Sequence, residues 1–382
     1  MNNFNTVVGD HILISNYIRY ERLTELINAE FYNSNYNEIN LFIDAYSMIK
    51  SIYGYKPSQF IDKFSIASCI INACAHYRQF FWTRYKVTCK IWIVFSRMDM
   101  SIMEANSFYP GYGNIFTSEN NPEMDEMINN NMNILNTLCP YIPDVAFIQS
   151  GYEPGLVFAN IASNYPQIPN IIVSKDPWNL QVVGNLPNVY MLRPVKKNGE
   201  DLSILINNRN VLEYYTKLRK VDCDTSRIHS SYISFIIAAT RFPERNIKAL
   251  HNLNTIIKCL NKALENNFIP DIAYDIKGLC NDLNTINKTN LKEFEIGLRM
   301  NAIGFNQCLY RYMMSPHKDN INITNYQDKK LEGEDRFVKE LMGVAFKIDK
   351  PLLNRDDAIR YTFKDDADRI IKYCKQEIKD RT

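Results

Sequence analysis

The pattern of apolar and polar positions divides the chain into two parts. In the first part, short continuous apolar runs such as Ile39–Ile43, Cys89–Phe95 and Ile171–Val173 have the length of strands buried on both faces of a parallel sheet. Segments with apolar residues at helical spacing lie between these runs. Shorter runs at Asp144–Ile148 and Val189–Val195 predict two further strands. This alternation predicts an α/β fold with a mostly parallel sheet between helices.

From Val211 onward the periodicity is helical, with predicted helices at Ser234–Ala239, Ile247–Asn266 and Leu291–Met313. Residues 97–121 are polar and rich in turn formers and predict a loop, and Pro316–Asp328 predicts a polar connector. The predicted organisation has four parts: an N-terminal extension at 1–38, an α/β domain at 39–210, a helical region at 211–315 and a charged helical extension at 316–382.

Composition narrows the class of protein. No apolar run approaches the ~20 residues of a membrane helix, and residues 1–30 have no uninterrupted apolar stretch typical of a signal peptide. The nine Cys form no C-x-x-C pair and do not cluster with the five His, which favours a reducing compartment and disfavours zinc. We therefore predict an intracellular, cytoplasmic protein with no membrane association and no small-molecule cofactor. The abundance of Asn, Ile and Tyr fits an A/T-rich genome, which is compatible with a host cell or virion of a phage or virus.

The net charge of +2 conceals two regions of opposite sign. Residues 98–174 contain no Lys, Arg or His, whereas residues 186–265 contain thirteen Lys and Arg against seven Asp and Glu. The acidic region would repel a phosphate backbone and predicts a docking surface for protein partners, with compositional drift as the other interpretation. The basic region could attract duplex DNA.

Acidic residues follow two of the predicted strands. Asp44 ends the run Ile39–Ile43, and Asp176 comes shortly after Ile171–Val173. Open α/β sheets place their ligand sites beyond the carboxyl ends of strands. Glu153 stands at the start of a predicted helix and can face the same edge. Carboxylates are ligands that Mg²⁺ prefers, so these three side chains predict a metal site.

Seven short sequences follow one another in a characteristic order. They are L-F-I-D-A-Y-S-M-I at 41–49, V-F-S-R at 94–97, Y-P-G-Y-G-N at 109–114, G-Y-E-P-G-L-V-F-A-N-I-A at 151–162, S-K-D-P-W-N-L-Q at 174–181, A-A-T-R-F-P-E-R-N-I-K-A-L at 238–250 and E-F-E-I-G-L-R-M-N at 293–301. Together they resemble the 5′→3′ exonuclease and flap endonuclease family of the phage and bacterial type. The resemblance implies a PIN-like sheet, two Mg²⁺ ions held by several carboxylates, and a helix–three-turn–helix element that grips duplex DNA from 238–250.

The departures from the family pattern concern the acidic residues. Asp44, Glu153 and Asp176 are retained, but other positions that carry Asp in the family carry different residues here. These are Ser96, Leu156 with its neighbours Pro154 and Gly155, Trp178, and the Arg241, Phe242 and Arg245 group. Three carboxylates could hold one Mg²⁺ weakly, as a vestigial site, but are too few for two ions. The resemblance is therefore to a degenerate member of the family.

The sequence is compatible with three functions. The leading hypothesis is a catalytically inactive, 5′-nuclease-like structural or accessory component that binds protein partners. Duplex DNA is its second candidate partner. The alternative is an active Mg²⁺-dependent 5′→3′ exonuclease or flap endonuclease that cleaves phosphodiester bonds with metal-activated water. The third is a regulator that binds duplex without cleavage. The predicted nucleic-acid-binding residues are Arg241, Arg245, Lys248, Lys258 and Lys262, with an ordinary solvated helical face as the other interpretation.

Aromatic residues near the candidate site have two interpretations each. Tyr109 and Tyr112 could stack on bases of a nucleic acid, or they could simply reflect the high Tyr content of the chain. Trp178 is expected to pack in the core.

Overall fold

The computed structural model describes residues 37–48, 85–113, 144–197, 200–266, 276–288, 290–303 and 322–324, together with scattered positions within 70–82 and 126–139. Its centre is one sheet whose strands stand in the order β6-β5-β4-β1-β2-β3-β7. The strands are β1 (Glu38–Asp44), β2 (Thr88–Ser96), β3 (Val145–Ser150), β4 (Asn170–Val173), β5 (Val189–Lys197), β6 (Glu200–Ile206) and β7 (Asn322–Thr324).

The five central strands are parallel, and only the two edge strands run antiparallel to their neighbours. Strand β1 lies in the middle, paired on one side with β2 and on the other with β4. Its residues Ile39 to Ile43 are fully buried, because helices cover both faces of a parallel sheet. The predicted α/β class with a mostly parallel sheet is confirmed. The carboxyl ends of β1, β2, β3 and β4 meet at one edge of the sheet.

Eight helices lie wholly within the described ranges. They are α1 (Asp99–Asn106), α2 (Pro154–Asn164), α3 (Leu180–Asn185), α4 (Val211–Leu218), α5 (Ile233–Ala239), α6 (Leu253–Glu265), α7 (Ile276–Asn287) and α8 (Glu293–Ile303). Short 3₁₀ turns at Pro177–Asn179, Ser230–Tyr232 and Pro243–Arg245 connect some of them. Helices α5, α6, α7 and α8 contact one another and form the helical second half.

A buried polar network links three neighbouring strands and helps fix their relative register. Asn40 Nδ2 donates to Asn170 Oδ1 (2.8 Å), and Trp92 Nε1 donates to Asn40 Oδ1 (3.0 Å). Both Asn residues are fully buried. Slipping one strand by a residue would leave these amides without partners, at a cost of about 1–3 kcal/mol for each unsatisfied group. The network therefore specifies the alignment that brings the carboxyl ends of β1 and β4 together.

The structure differs from the sequence-based expectation at three places. The sequence predicts a loop at residues 97–121, but α1 (Asp99–Asn106) lies within this range. Its small residues Ser101 and Ala105 are buried, and burial of one face favours the helix. Strand β7 lies inside the expected polar connector. Helix α6 begins at Leu253 rather than Ile247, because the Asn252 side chain caps it by accepting from Thr255 N (2.8 Å).

Several expectations fall on residues outside the described ones. These are the N-terminal extension at 1–36, the turn at Asn198-Gly199 and the charged tail beyond residue 324. Across the part of the chain that the structure describes, no helix has both the length and the apolar character needed to cross a membrane.

Candidate functional site

Three carboxylates meet where the parallel strands end. Asp44 is the last residue of β1, Asp176 follows β4, and Glu153 stands between β3 and the first turn of α2. Each is buried, with 2%, 4% and 2% of its surface exposed, respectively. The structure thus gathers the three predicted side chains at one edge of the sheet. Whether they bind a metal stays a prediction.

A fourth charged side chain, Arg245, lies among them. Its Nε donates to Glu153 Oε1 (2.7 Å), and its Nη2 donates to Glu153 Oε2 (2.7 Å), which is the two-bond arrangement that suits a carboxylate. The same Nη2 donates to Asp176 Oδ2 (2.5 Å). The Arg245 side chain is fully buried. One guanidinium therefore pairs with two carboxylates inside the protein and offsets part of their charge.

Local structure directs Arg245 inward. It ends the 3₁₀ turn Pro243–Arg245, and the next residue, Asn246, adopts a left-handed conformation (φ 58°) that Asn tolerates better than most residues. Glu244 is held on the other side by Arg219, whose Nη1 and Nη2 donate to its two carboxylate oxygens (2.9 and 2.7 Å). The guanidinium of Arg219 also lies over the rings of Tyr215 and Phe242. The turn is therefore held by two sets of ion pairs, one between Glu244 and Arg219 and the other between Arg245 and the carboxylate cluster.

The electrostatics of Arg245 follow from its neighbours. Burial lowers the pKa of the guanidinium, but the charges of Asp176 and Glu153 outweigh burial and raise this pKa well above its ordinary value. Arg245 therefore remains charged at every accessible pH. A buried charge is tolerated only when it is paired and hydrogen-bonded, and here Nη1 also donates to the Glu244 carbonyl (3.0 Å).

Asp44 has a different environment. Its Oδ1 accepts from Ser47 N (3.0 Å) and its Oδ2 accepts from Ser174 Oγ (2.8 Å). Among the residues that the structure describes, no Arg forms an ion pair with Asp44. Burial is the largest influence and raises the pKa of Asp44 to about 7, and the nearby charge of Asp176 adds to this rise. The Ser47 and Ser174 hydrogen bonds and the Arg245 charge act in the opposite direction. Asp44 is thus partly neutral near pH 7.

Further polar residues complete the cluster through contacts that the sequence did not predict. Tyr112 Oη donates to Glu153 Oε1 (3.0 Å), and Ser101 Oγ accepts from Glu153 N (2.8 Å). Ser174 Oγ, which donates to Asp44, also accepts from Asp176 N (3.0 Å) and Asn179 Nδ2 (3.0 Å). The position of Ser174, directly after β4, was a usable signal. Ser101 and Tyr112 carry none, because their contacts depend on how α1 and the following residues return to the sheet edge.

Packing and backbone hydrogen bonds account for Trp178, Leu156, Gly155 and Ser96 around the cluster. Trp178 and Leu156 are almost fully buried, so the expectation that Trp178 packs in the core is confirmed. Gly155 makes this packing feasible, because a Cβ there would lie 2.4 Å from Trp178 Cζ3. The Ser96 hydroxyl donates to the Tyr152 carbonyl and accepts from Met98 N (2.9 Å). These contacts hold the backbone around the cluster and supply no anionic oxygen.

The side chains present do not fit a pair of divalent cations. Within the described residues, no group of three or more His, Cys, Asp and Glu side chains has an arrangement that could hold a metal ion. Both oxygens of Glu153 and one oxygen of Asp176 accept from Arg245, and the other Asp176 oxygen accepts from Trp178 N (3.0 Å). Mg²⁺ needs such oxygens free in near-octahedral geometry. A cation at this place would have to displace the guanidinium first.

The predicted nucleic-acid-binding residues separate into two groups. Arg241, Lys248, Lys258 and Lys262 are exposed, and Lys258 and Lys262 stand one turn apart on α6. Lys262 Nζ also donates to the Ile286 carbonyl (3.1 Å). The expectation that Arg245 belongs to this exposed group is wrong, because its guanidinium is buried between Glu153 and Asp176. Binding by the other four residues stays a prediction.

The aromatic candidates for base stacking are likewise unequal. Tyr112 is 2% exposed, so its ring cannot stack on a base in this conformation. Tyr109 is half-buried, and the guanidinium of Arg299 lies 5.1 Å from the centre of its ring.

Comparison with known proteins gives one kind of similarity. No protein-family model and no curated protein matches the sequence. Among solved structures, the chain is similar to T5 5′-exonuclease in a structure with divalent metal ions (zinc) bound, with 11% sequence identity and a TM-score of 0.45. The alignment covers 89% of this chain and 98% of that chain. The bound ions are a property of that structure.

Proposed function

We propose that this chain is a catalytically inactive, 5′-nuclease-like protein that acts as a structural or accessory component. The observation that supports inactivity most directly is the position of Arg245. Its guanidinium occupies the space between Glu153 and Asp176, where two-metal cleavage of a phosphodiester would require cations. The protein's own positive charge offsets part of the carboxylate charge there, and the Glu153 and Asp176 oxygens that a metal would need already accept hydrogen bonds.

A positive side chain at position 245 changes what the carboxylate cluster can bind. Two carboxylates about 4 Å apart repel by about 4 kcal/mol at an effective dielectric of ~20, and a bound metal or a protein cation must offset that repulsion. Arg245 offers five donors in a fixed planar arrangement, whereas a catalytic Mg²⁺ would offer exchangeable water positions. The cluster thus retains a stabilising function while losing the exchangeable ligands that hydrolysis needs.

The second part of the proposal concerns binding. Arg241, Lys248, Lys258 and Lys262 are exposed on the helical half, and they are the residues we assign to contact with duplex DNA. Protein partners are assigned to the acidic region 98–174, whose described side chains Asp99, Glu126 and Asp144 are exposed. Both assignments rest on charge, which steers association more than it determines affinity.

A cleavage assay tests inactivity. The full chain is incubated with 5′-labelled flap DNA in Mg²⁺ or Mn²⁺, and the proposal expects no product above the buffer control. The proposal fails if product forms, disappears in Asp176→Ala and persists in Asp144→Asn. Asp144 is a suitable control because it is exposed, lies outside the cluster, and has a left-handed conformation (φ 55°) that Asn accepts.

A binding assay tests the nucleic-acid part. Fluorescence anisotropy of a labelled duplex is measured as a function of salt, where each lost phosphate contact reduces the logarithmic slope by about 0.9. Lys258→Glu is expected to weaken binding and reduce the slope. The matched control is Lys86→Glu, since Lys86 is also exposed. It precedes β2, at the amino ends of the parallel strands, whereas the carboxylate cluster lies at their carboxyl ends. Equal effects of both changes would show that binding does not involve α6.

The alternative of an active nuclease predicts a different combination of results. Flap cleavage would require divalent cations and would be lost in Asp176→Ala. The third hypothesis, a duplex-binding regulator, predicts salt-dependent binding through Lys258 without cleavage. Absence of both, together with co-purification in an assembly much larger than the 44.6 kDa chain, favours the structural role.

A further inference from the structure

Two segments that are distant in the sequence meet beside the carboxylate cluster. The first is residues 109–113, which we call the covering loop, and the second is residues 243–246, which we call the arginine turn. Gly113 N donates to the Arg245 carbonyl (3.2 Å), and Asn246 Nδ2 donates to the Gly111 carbonyl (2.8 Å). The two segments therefore touch through main-chain and side-chain hydrogen bonds.

Both segments also bind the same carboxylate. Glu153 Oε1 accepts from Tyr112 Oη (3.0 Å) of the covering loop and from Arg245 Nε (2.7 Å) of the arginine turn. Hydrogen bonds to a charged oxygen are stronger than neutral ones, and both donors here are excluded from water. Losing one donor changes the charge distribution and the position of the carboxylate that the other donor uses.

The backbone at the contact is suited to one closed arrangement. Gly111 (φ 87°) and Asn246 (φ 58°) both adopt left-handed conformations, and they contact each other directly. Asn106 supports the loop from α1, because its Oδ1 accepts from Gly111 N (2.9 Å) and its Nδ2 donates to the Tyr112 carbonyl (3.0 Å). Gly and Asn adopt this conformation more readily than other residues, so the residue types at both positions favour the observed contact.

We propose that the covering loop and the arginine turn form one cooperative closure over the carboxylate cluster, so that releasing either segment opens the other. A partner that pulls on the covering loop would thereby loosen Arg245 from Glu153 and Asp176. The closure does not depend on whether the protein is inactive. If the chain cleaves nucleic acid, the same closure keeps its site shut until it is released.

Hydrogen exchange measured by mass spectrometry on the full chain tests the coupling. Tyr112→Phe removes only the hydroxyl that binds Glu153, and Asn246→Gly removes the amide that binds Gly111 while retaining access to the left-handed conformation. Each change is expected to raise exchange about tenfold in both segments, as the loss of a hydrogen bond to a buried charged or constrained group implies. The reporter amides are that of residue 112 in the loop, which donates to the Tyr109 carbonyl, and those of residues 245 and 246 in the turn, which donate to the Phe242 and Pro243 carbonyls.

Tyr109→Phe is the matched control, because it keeps the ring that Arg299 covers and lies in the same loop. Among the described residues, the donors to the Glu153 carboxylate are Tyr112 and Arg245, and not Tyr109. It should leave exchange unchanged in both segments. If Tyr112→Phe accelerates exchange in the covering loop alone, or Asn246→Gly in the arginine turn alone, the two segments open independently and the proposal is overturned. Because the readout is exchange, its failure is separate from the result of the cleavage assay.

Discussion

Arg245 and Glu153 are 92 residues apart in the sequence and form a buried ion pair with two parallel hydrogen bonds of 2.7 Å. The pair joins the start of α2, at the edge of the sheet, to the turn that follows α5 in the helical half. Asp176 Oδ2 accepts a hydrogen bond from Nη2 of the same guanidinium (2.5 Å). One side chain thus links the two halves of the molecule and determines what the cluster can bind.

Removing the Arg245 charge should destabilise the protein strongly. Arg245→Leu leaves Glu153 and Asp176 buried without a counter-charge, which costs about 3–5 kcal/mol for an ion pair of this kind. Urea denaturation followed by circular dichroism measures the loss. Arg241→Leu is the control: it changes the same residue type four positions earlier, but at an exposed site, and should shift stability by less than about 0.5 kcal/mol.

A compensated variant separates charge from packing in that result. Arg245→Leu combined with Glu153→Gln and Asp176→Asn removes all three charges and should recover a large part of the lost stability. If the triple variant is no more stable than Arg245→Leu, then the shape of the guanidinium, and not its charge, is what the cluster requires.

The same cluster should acquire a response to divalent cations once Arg245 is absent. In Arg245→Ala the two carboxylates face vacated space with Asp44 nearby, so Mn²⁺ should raise the melting temperature of this variant. Linkage gives about 1.4 kcal/mol when the free cation exceeds its Kd tenfold. The wild-type chain should show no comparable shift, because its guanidinium already occupies the site.

The control for the cation response is Arg245→Ala with Glu153→Gln and Asp176→Asn, which has the space but not the charges. A shift of equal size in this control, or in the wild-type chain, would mean that Mn²⁺ binds elsewhere on the protein.

The sequence was sufficient for the sheet and for the location of the carboxylates, but not for the partner of those carboxylates. Apolar runs that end on Asp44 and just before Asp176 indicate parallel strands with acidic ends, and both features depend on local pattern. The partner depends on how a turn in the helical half packs against the sheet edge, which no local pattern encodes. For that reason Arg245 was grouped with exposed basic residues.

One signal for the buried role of Arg245 was nevertheless present. A basic residue at a position that is acidic in the resembling family, next to carboxylates that are retained, is what charge compensation inside a cluster would produce. Glu244 beside it would have added to this interpretation, because adjacent opposite charges on a short turn need partners on opposite sides. Arg219 and the Glu153–Asp176 pair are those partners. Arg241, with no such arrangement, is exposed as expected.

The close packing of Gly155 against Trp178 predicts a second effect on the stability of the protein. Gly155→Ala would place a Cβ 2.4 Å from Trp178 Cζ3 and 2.6 Å from Asn179 Oδ1, so the indole must shift in a close-packed core. The expected loss is about 1–3 kcal/mol, typical of overpacking. Thermal denaturation of Gly155→Ala and of Gly297→Ala measures it. Gly297 lies on α8 and has no atom within 4 Å of an added Cβ, so Ala there should be neutral or slightly stabilising.

The pH dependence of stability should depend on Asp44. Burial raises the pKa of Asp44 from 3.8 to about 7, so between these values the unfolded chain has lost a proton that the folded chain keeps. Stability therefore falls as pH rises through this interval and shows no further change from this group above pH 7. Asp44→Asn removes the cost of the buried charge, which is on the order of 4 kcal/mol at full ionisation. The variant should gain more stability over wild type at pH 8 than at pH 4.5.

Denaturation of both proteins in the presence of a chelator at the two pH values provides the measurement, and only the difference between them is interpreted, since other groups titrate in both. Ser174→Ala is a useful companion, because it removes the hydroxyl that donates to Asp44 Oδ2 and should raise the pKa of Asp44 further. An advantage of Asp44→Asn that is the same at pH 4.5 and pH 8 would show that Asp44 is charged in the folded protein throughout this range.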